Sequence, residues 1–588
     1  MPEPQVAALI LGQNDDPNAG SQRIPDGDQQ MDSLSQPTLD AVDHPFSRRT
    51  FLGGAGALLV AGMAGAGARA AASRPAPTAG HGALPHRPNI VVVITDQERA
   101  PMFWPEGWAE TNLPNRKRLA DTGLTFDGCC CNAAMCSPSR STFFTGLYPA
   151  QHGVTATLTE GGTVSPTEPT LPLGIQNMAK LLDSAGYNVH YRGKWHMSKG
   201  EEGGDPSSAD VAAYGFRGWV PPEGGQDTDP DHFGGGCADL DSRYASEAVE
   251  FLQGLDPNDD RPFALVVSFV NPHDVLAYPQ TWDAINGTCD NYGSDAPGIF
   301  EQGIDLPPTY DEALARNFKP TAQIQSQVLL AAGLGPLPGQ DAARNYVNFY
   351  AYMHKVVDEH IGAVLDALES RPGMRESTVV IRISDHGEMG MSHGGLRQKV
   401  FNAYEETLRV PLVISNPLLF PQPVHTAALS SLIDVMPTLA SLADVPDRAA
   451  WDFRGVDLMP IVDDAAANPA APSAEVQDVL HFTYDDENCA TPDGQNIVTQ
   501  PNHMRTIRDH RWKYSAYFDP AGVTPPQFEM YDLQTDPLEL HNRANPLNLG
   551  YFDPVQSMRM HAKLFEVMER CGTTPARGLA PSSVPAGS

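Results

Sequence analysis

The sequence has few basic residues and no long run of strongly apolar residues, and no cysteine spacing in it is typical of a metal knuckle. Its 588 residues include 39 lysines and arginines against 72 acidic residues, a net charge of -33. Such a charge repels nucleic acid and anionic surfaces, so we expect neither as a partner. Eight cysteines match no zinc framework, and their spacing does not reveal which of them pair. At 41% hydrophobic, the chain can bury a large core.

The N-terminal region carries an export signature. A twin arginine in "SRRTFL", Ser47 to Leu52, precedes a charge-free run rich in glycine and alanine, which ends in "ARA" at Ala68 to Ala70. This order predicts a leader and twin-arginine signal peptide over 1–72, the twin-arginine translocase as a partner, and a periplasmic or extracellular location. The alternative is a membrane anchor. We favour export because the run is weakly apolar and shorter than the roughly 20 residues of a spanning helix.

The rest of the chain alternates between strand and helix patterns. Continuous apolar runs at 89–96, 262–270 and 377–384 predict strands buried on both faces of a sheet. Helical patterns lie between them, including one over 173–186 and a long one over 343–370. The alternation predicts a doubly wound α/β domain with a mostly parallel sheet, in which ligands collect at the carboxyl ends of the strands.

Polar side chains stand at the ends of these three strands and of a short fourth strand, predicted from "YNVHY" at 187–191. They are Asp96 with Gln97, Lys194 with His196, His273, and Asp385 with His386. Taken singly, each stretch is more often a turn or a helix cap, since aspartate there satisfies backbone N–H groups. Together they predict one converging site. Its carboxylate, amide and imidazole donors suit a divalent cation such as calcium, magnesium or manganese.

Cys136 lies in the stretch "CSPSRSTFFTG", Cys136 to Gly146. From the residues alone, its thiol could be a nucleophile, a disulfide partner, a buried small side chain or the precursor of another group. The stretch resembles the signature of the sulfatase family, and five further blocks follow that family's order. They are "PNIVVVITDQ", "GYNVHYRGKWHM", "SFVNPHD", "ISDHGEMGMSHGGLRQK" and "YEETLRVPLVIS".

The resemblance implies an alkaline-phosphatase-like fold, with a catalytic α/β domain over 85–445 and a C-terminal subdomain over 475–575. The stretches "HRWKYSAYF" and "EMYDLQTDPLELHN" resemble that subdomain, which in the family is a small antiparallel sheet with a packed helix. The resemblance also implies that Cys136 is oxidised to formylglycine by a formylglycine-generating enzyme, which reads Pro138, Ser139 and Arg140. The hydrated aldehyde then attacks the sulfur of a sulfate ester and afterwards releases inorganic sulfate.

The remaining roles are also implied by the resemblance. Lys194 and Lys399 hold sulfate oxygens, His196 helps to expel the sulfate, His273 contacts the ester oxygen, and Arg140 lies near the nucleophile. The cation would be held by Asp96, Gln97, Cys136, Asp385 and His386. Calcium is the first expectation, with manganese or magnesium as alternatives.

The metal-ligand positions depart from the commonest family pattern, which is Asp-Asp with Asp-Asn. Asp-Gln with Asp-His resembles the branch that contains choline sulfatases and phosphonate monoester hydrolases. We therefore expect an exported sulfuric ester hydrolase of arylsulfatase type that acts on a small or aryl sulfate ester. The alternatives are a phosphonate monoester or phosphodiester hydrolase on the same site and, third, an inactive binding protein. The alcohol of the substrate and the oligomeric state stay open.

Overall fold

The apolar run at Asn89–Asp96 forms an inner strand of a seven-stranded sheet in the computed structural model of the protein. The structure describes residues 84–100, 102–159, 168–256, 259–293, 298–487, 489 and 497–583. The leader and signal predicted over 1–72 lie outside this range. The strands, in chain order, are β1 (Asn89–Asp96), β2 (Gly123–Cys130), β3 (Asn188–Gly193), β4 (Phe263–Pro272), β5 (Thr378–Ser384), β6 (Leu412–Ser415) and β7 (Val424–Ser431).

The sheet has the order β3-β4-β1-β5-β6-β2-β7. Its pairs are parallel except at β6, which is antiparallel to both of its neighbours, β5 and β2. Both faces of β1 are buried: Ile90, Val92 and Ile94 join one apolar cluster, and Val91 and Val93 join the other. Helices cover both faces, which explains the unbroken apolar sequence of β1 and confirms the predicted α/β class.

The longer helices lie between and after these strands. They are Pro114–Asp121, Cys136–Thr145, Met178–Ser184, Leu240–Gln253, Thr321–Leu334, Gly339–Glu369, Val435–Leu442, Met459–Ala467 and Pro554–Cys571. The helix predicted from position 173 was wrong in its start. It begins at Met178 because the side chain of Asn177 accepts a hydrogen bond from Lys180 N at 3.0 Å and caps it, while Leu173 is 56% exposed. Among the described helices, none has the length and apolarity needed to cross a membrane.

A second, antiparallel sheet lies near the C-terminus. Its strands β8 (Leu480–Tyr484), β9 (His503–Arg508), β10 (Trp512–Phe518) and β11 (Gln527–Asp532) pair in chain order. The Pro554–Cys571 helix packs on this sheet through an apolar cluster that includes Ile507, Tyr514, Met560 and Leu564. This confirms the predicted small antiparallel sheet with its helix. The domain limits of 85–445 and 475–575 stay predictions.

One pair of cysteines forms a disulfide, Cys237 with Cys289. The other six, Cys129, Cys130, Cys131, Cys136, Cys489 and Cys571, are free and buried. Cys136 is therefore available for chemistry, whereas Cys129, Cys130 and Cys131, at the end of β2, pack in the core.

Candidate active site

The predicted site residues converge at one edge of the large sheet. Asp96 ends β1, Lys194 follows β3, His273 follows β4 and Asp385 follows β5. These four strands are adjacent and parallel, so their carboxyl ends lie side by side. The chain can turn into Lys194 only because Gly193 has φ 94°, and a β-carbon there would overlap the carbonyl oxygen of Ser268.

Cys136 is the first residue of the Cys136–Thr145 helix, whose N-terminus faces this edge. The loop before it is fixed by the second sheet: Thr483 N donates to the Asn132 carbonyl at 2.9 Å, and the Asn132 side chain donates to the His481 carbonyl at 3.0 Å. The helix dipole favours negative charge at the Cys136 position. The C-terminal subdomain therefore helps to hold the loop that leads to Cys136.

Four side chains offer ligand atoms that all lie within 4.8 Å of one another: Asp96, Cys136, Asp385 and His386. His386 Nε2 is 3.1 Å from Cys136 Sγ, and Cys136 Sγ is 3.7 Å from Asp96 Oδ1. His386 Nε2 is also 3.7 Å from Asp385 Oδ1. Two carboxylate oxygens and an imidazole nitrogen around a small space suit a divalent cation, so the donor set fits the expected metal.

Buried cations neutralise these carboxylates. Arg140 bridges them, with Nε 2.9 Å from Asp385 Oδ2 and Nη2 3.1 Å from Asp96 Oδ2. Lys194 Nζ lies 2.6 Å from the same Asp96 oxygen. Arg140 also donates to Ser268 Oγ at 2.9 Å, which fixes its guanidinium in place. These residues have no solvent exposure, so each charge depends on its partners.

The site shifts the pKa values of its acids. Burial alone would raise the pKa of Asp96, but Lys194, His273 and Arg140 outweigh it and hold that pKa well below the ordinary value. Burial and Asp96 raise the pKa of the Cys136 thiol, whereas Lys194, Lys399 and His386 lower it, and the net shift is downward. The pocket is therefore positive enough to stabilise an anion at position 136.

Gln97 and Lys399 meet beside this cluster. Lys399 Nζ donates to Gln97 Oε1 at 2.6 Å and to Gln398 Oε1 at 3.3 Å. The other end of the Gln97 amide, Nε2, donates to Glu388 Oε2 at 2.6 Å. The predicted ligand Gln97 thus lies next to the predicted sulfate-binding lysine.

The two histidines predicted for the site, His196 and His273, each have a ring nitrogen without a hydrogen-bond partner among the described residues. His196 Nε2 donates to the Leu158 carbonyl, and its Nδ1 has no hydrogen-bond partner among the described residues. His273 Nδ1 is likewise unpartnered within the described chain, and the residue is 3% exposed. Burial and Lys194 lower the pKa of both rings well below the ordinary value. Both are neutral at pH 7 and can bond to a substrate.

Sequence reasoning missed two buried carboxylates that support the site. Glu223 Oε2 accepts from Trp195 N at 2.7 Å and from His196 N at 2.6 Å, and so holds the turn that carries Lys194. Glu388 holds Gln97, as described above. Glu388 follows His386 by two residues in the "SDHGE" motif and was detectable, whereas no pattern around Glu223 indicates its role.

The sulfatase family model matches residues 88–445, which is more than half of the chain. The chain belongs to the sulfatase family. A second model, described as the C-terminal part of N-sulphoglucosamine sulphohydrolase, matches residues 393–569.

The sulfatase has relatives with related activities. It is 25% identical to the N-acetylglucosamine-6-O-sulfatase of Bacteroides thetaiotaomicron over 78% of this chain and 82% of that protein. It is 28% identical to the choline-sulfatase of Rhizobium meliloti over 78% and 83%, respectively. Its fold matches the crystal structure of the phosphonate monoester hydrolase of Agrobacterium radiobacter, with a TM-score of 0.57, 20% identity, and coverage of 82% of this chain and 96% of that one.

These findings confirm the alkaline-phosphatase-like fold and the class of enzyme, a sulfuric ester hydrolase. The site residues predicted from the sequence lie together at the strand ends. Their individual roles stay predictions.

Proposed function

We propose that this sulfatase hydrolyses small or aryl sulfate monoesters through a formylglycine derived from Cys136 and a divalent cation, with calcium as the first expectation. One observation carries the proposal: the Cys136 sulfur lies inside the four-residue donor cluster, at a helix N-terminus. Asp96, Gln97, Asp385, His386 and the modified side chain at position 136 would hold the cation. When bound, the cation would acidify a hydroxyl and offset negative charge.

The formylglycine hydrate would supply one hydroxyl as the nucleophile toward sulfur and a second through which the sulfate is later released. The chain's own residues prepare for both events. Arg140 and Lys194 hold Asp96 in its ionised form, and Lys194 and Lys399 place two ammonium groups where a sulfate would bind. His196 and His273 each present an unpartnered ring nitrogen to receive or supply a proton.

Modification must precede folding. Cys136 is 2% exposed, so a formylglycine-generating enzyme cannot reach its thiol in the folded protein. A twin-arginine signal, predicted over 1–72, moves folded proteins, so we propose that the modification takes place before export to the periplasm or medium. The Cys237–Cys289 disulfide supports an oxidising destination. Replacing Arg48 and Arg49 by lysine should retain activity in the cytoplasm, and unchanged export would refute this route.

The competing function is hydrolysis of a phosphonate monoester or phosphodiester. The Asp-Gln and Asp-His ligands are shared with phosphonate monoester hydrolases as well as with choline sulfatases, and the fold is similar to that of a phosphonate monoester hydrolase. Two lysines, an arginine and a cation would bind either anion, so charge alone does not distinguish the two substrate classes.

A single plate assay separates these functions. The same modified preparation is given 4-nitrophenyl sulfate, the matching phenylphosphonate monoester and bis(4-nitrophenyl) phosphate. We expect a higher kcat/KM for the sulfate ester. A clear preference for either phosphorus ester would transfer the assignment to the competing function and leave the fold and the metal site unchanged.

A further inference from the structure

We infer that Glu388 is a positioning residue that fixes the Gln97 side-chain amide with its oxygen toward Lys399 and the cation site. The inference rests on the proposed cation site. It concerns a residue outside the predicted ligand set, 291 positions away from Gln97.

The hydrogen bonds leave the amide only one orientation. Lys399 Nζ can only donate, so the atom 2.6 Å from it must be the amide oxygen. Glu388 at the opposite end accepts, at 2.6 Å from Gln97 Nε2. Neither Gln97 nor Glu388 has any solvent exposure, so water cannot replace either partner. The amide oxygen is the only end of Gln97 that can bind a hard cation.

Glu388 is itself held rigidly. Its Oε1 accepts hydrogen bonds from Tyr346 OH at 2.8 Å, Gln398 N at 2.9 Å and Gly390 N at 3.1 Å. This leaves Oε2 for the Gln97 amide. Gln97 is also held, because Tyr350 OH donates a hydrogen bond to its backbone carbonyl at 2.7 Å. Both ends of the pair are therefore fixed before any cation or substrate binds.

Gln97 has a strained backbone that this network maintains. Its φ is 66°, in the left-handed region that non-glycine residues rarely adopt. Such strain persists where the surrounding contacts hold it, and it is common at functional sites. Three hydrogen bonds hold it here. Tyr350 OH donates to the Gln97 carbonyl, Gln97 N donates to Asp385 Oδ1 at 3.1 Å, and the Gln97 side-chain amide donates to Glu388.

The pair also accounts for the missing carboxylate at position 97. Replacing an acidic ligand by glutamine removes one negative charge from the ligand set. In this protein a carboxylate lies directly behind that ligand, bonded to its amide. Glu388 therefore restores negative charge to the site without contacting the cation and polarises the amide so that its oxygen is a better donor.

A polarity swap tests the inference. In E388Q, the oxygen of the new amide takes the place of Oε1, because the three donors around it require an acceptor. The NH2 group of the new amide then faces the NH2 group of Gln97. Gln97 must then flip or lose its bond. In Q97E, two carboxylates face each other at the same short distance, which is also unfavourable. In the double variant Q97E/E388Q, the new NH2 group faces the new carboxylate, and a hydrogen bond forms again.

The measurement is calcium affinity by titration calorimetry on the full-length protein after removal of bound metal, with circular dichroism to verify folding. We expect E388Q to bind calcium about 10–100-fold more weakly, as for other residues that support a metal ligand. We expect Q97E to bind calcium more weakly than the double variant, because its new carboxylate faces that of Glu388. We expect the double variant to recover most of the loss. Recovery by a second substitution distinguishes positioning from a general loss of structure.

A matched control is available. Glu529 is buried and accepts from Gln323 Nε2 at 3.0 Å, in the C-terminal sheet and outside the predicted site. E529Q therefore neutralises a buried carboxylate in an equivalent Glu–Gln pair. Its calcium affinity should equal that of the wild type.

Several outcomes would overturn the inference. If E388Q binds calcium like the wild type, or if the folded double variant shows no recovery, Glu388 does not position Gln97. If E388Q does not fold, Y346F provides the milder test, because it removes only one donor to Glu388, and unchanged calcium affinity there would also refute the role. A wild-type protein that binds no divalent cation would instead refute the cation site of the proposed function.

Discussion

His386 Nε2 lies 3.1 Å from Cys136 Sγ, although 250 residues separate the two in the chain. The contact joins the end of β5 to the N-terminus of the Cys136–Thr145 helix. It brings the residue that carries the sulfatase signature into the donor cluster completed by Asp96 and Asp385. Nucleophile and cation would therefore share one buried site, and changes to either should affect the other.

Asp385→Ala should remove both cation binding and turnover. It should also lower the free energy of unfolding by about 3–5 kcal/mol, because it leaves the fully buried Arg140 with one carboxylate partner fewer. Metal analysis of the purified protein tests the first effect and urea unfolding tests the second. The loss of stability should persist at saturating calcium, since it arises from Arg140. Unaltered stability would show that Arg140 does not depend on this pair.

Chelation should abolish activity reversibly without unfolding the protein. The ion pairs from Arg140 and Lys194 to the carboxylates remain when the cation is absent and hold the site together. Activity after chelation and after addition of calcium, manganese or magnesium identifies the preferred ion. A thoroughly metal-free protein with full activity would contradict the cation site.

His273→Ala should reduce turnover more for alkyl sulfates than for 4-nitrophenyl sulfate. His273 is neutral in the free enzyme, because burial and Lys194 lower its pKa. An anionic substrate nearby would raise that pKa and favour the protonated ring. A good leaving group needs little protonation, so the steepness of kcat/KM against leaving-group pKa should increase in the variant. Equal losses across the series would assign His273 to binding alone.

Asp274→Asn should make stability less dependent on pH. Burial raises the pKa of Asp274 to about 6 from 3.8, although Tyr292, Gly234 and Gly235 all donate to its carboxylate. The folded protein therefore holds this proton more tightly than the unfolded chain. Stability from this group is full below pH 4 and falls by about 3 kcal/mol as the pH rises through 6.

An asparagine oxygen can accept the same three hydrogen bonds, because all of them reach one oxygen, Oδ2. The variant should therefore fold, and its free energy of unfolding should no longer fall between about pH 4 and about pH 6 by the amount that Asp274 contributes. Urea unfolding of both proteins in buffers of about pH 4.5 and about pH 7 measures the difference. If the free energy of unfolding depends on pH equally in both proteins, Asp274 is not the group responsible.

The sequence predicted the strand ends well because parallel strands buried on both faces leave continuous apolar runs, as β1 does. The resemblance of the blocks from Pro88 to Ser415 then identified the family. Contacts between distant side chains were beyond sequence reasoning. Glu223 and Glu388 act through hydrogen bonds across 27 to 291 positions, and such contacts leave no periodic signal. The helix start at Met178 depends on one capping side chain, Asn177, and the pattern of apolar residues did not show it.

The proposed mechanism depends on the conversion of Cys136 to the aldehyde nucleophile of the site. Mass spectrometry of the peptide that contains Cys136, from active enzyme purified from its native host, tests this most directly. We predict that its thiol is replaced by an aldehyde, which a hydrazide reagent captures, and that Cys136→Ala folds normally without turnover. A fully active preparation in which Cys136 is quantitatively an unmodified thiol would refute the formylglycine nucleophile.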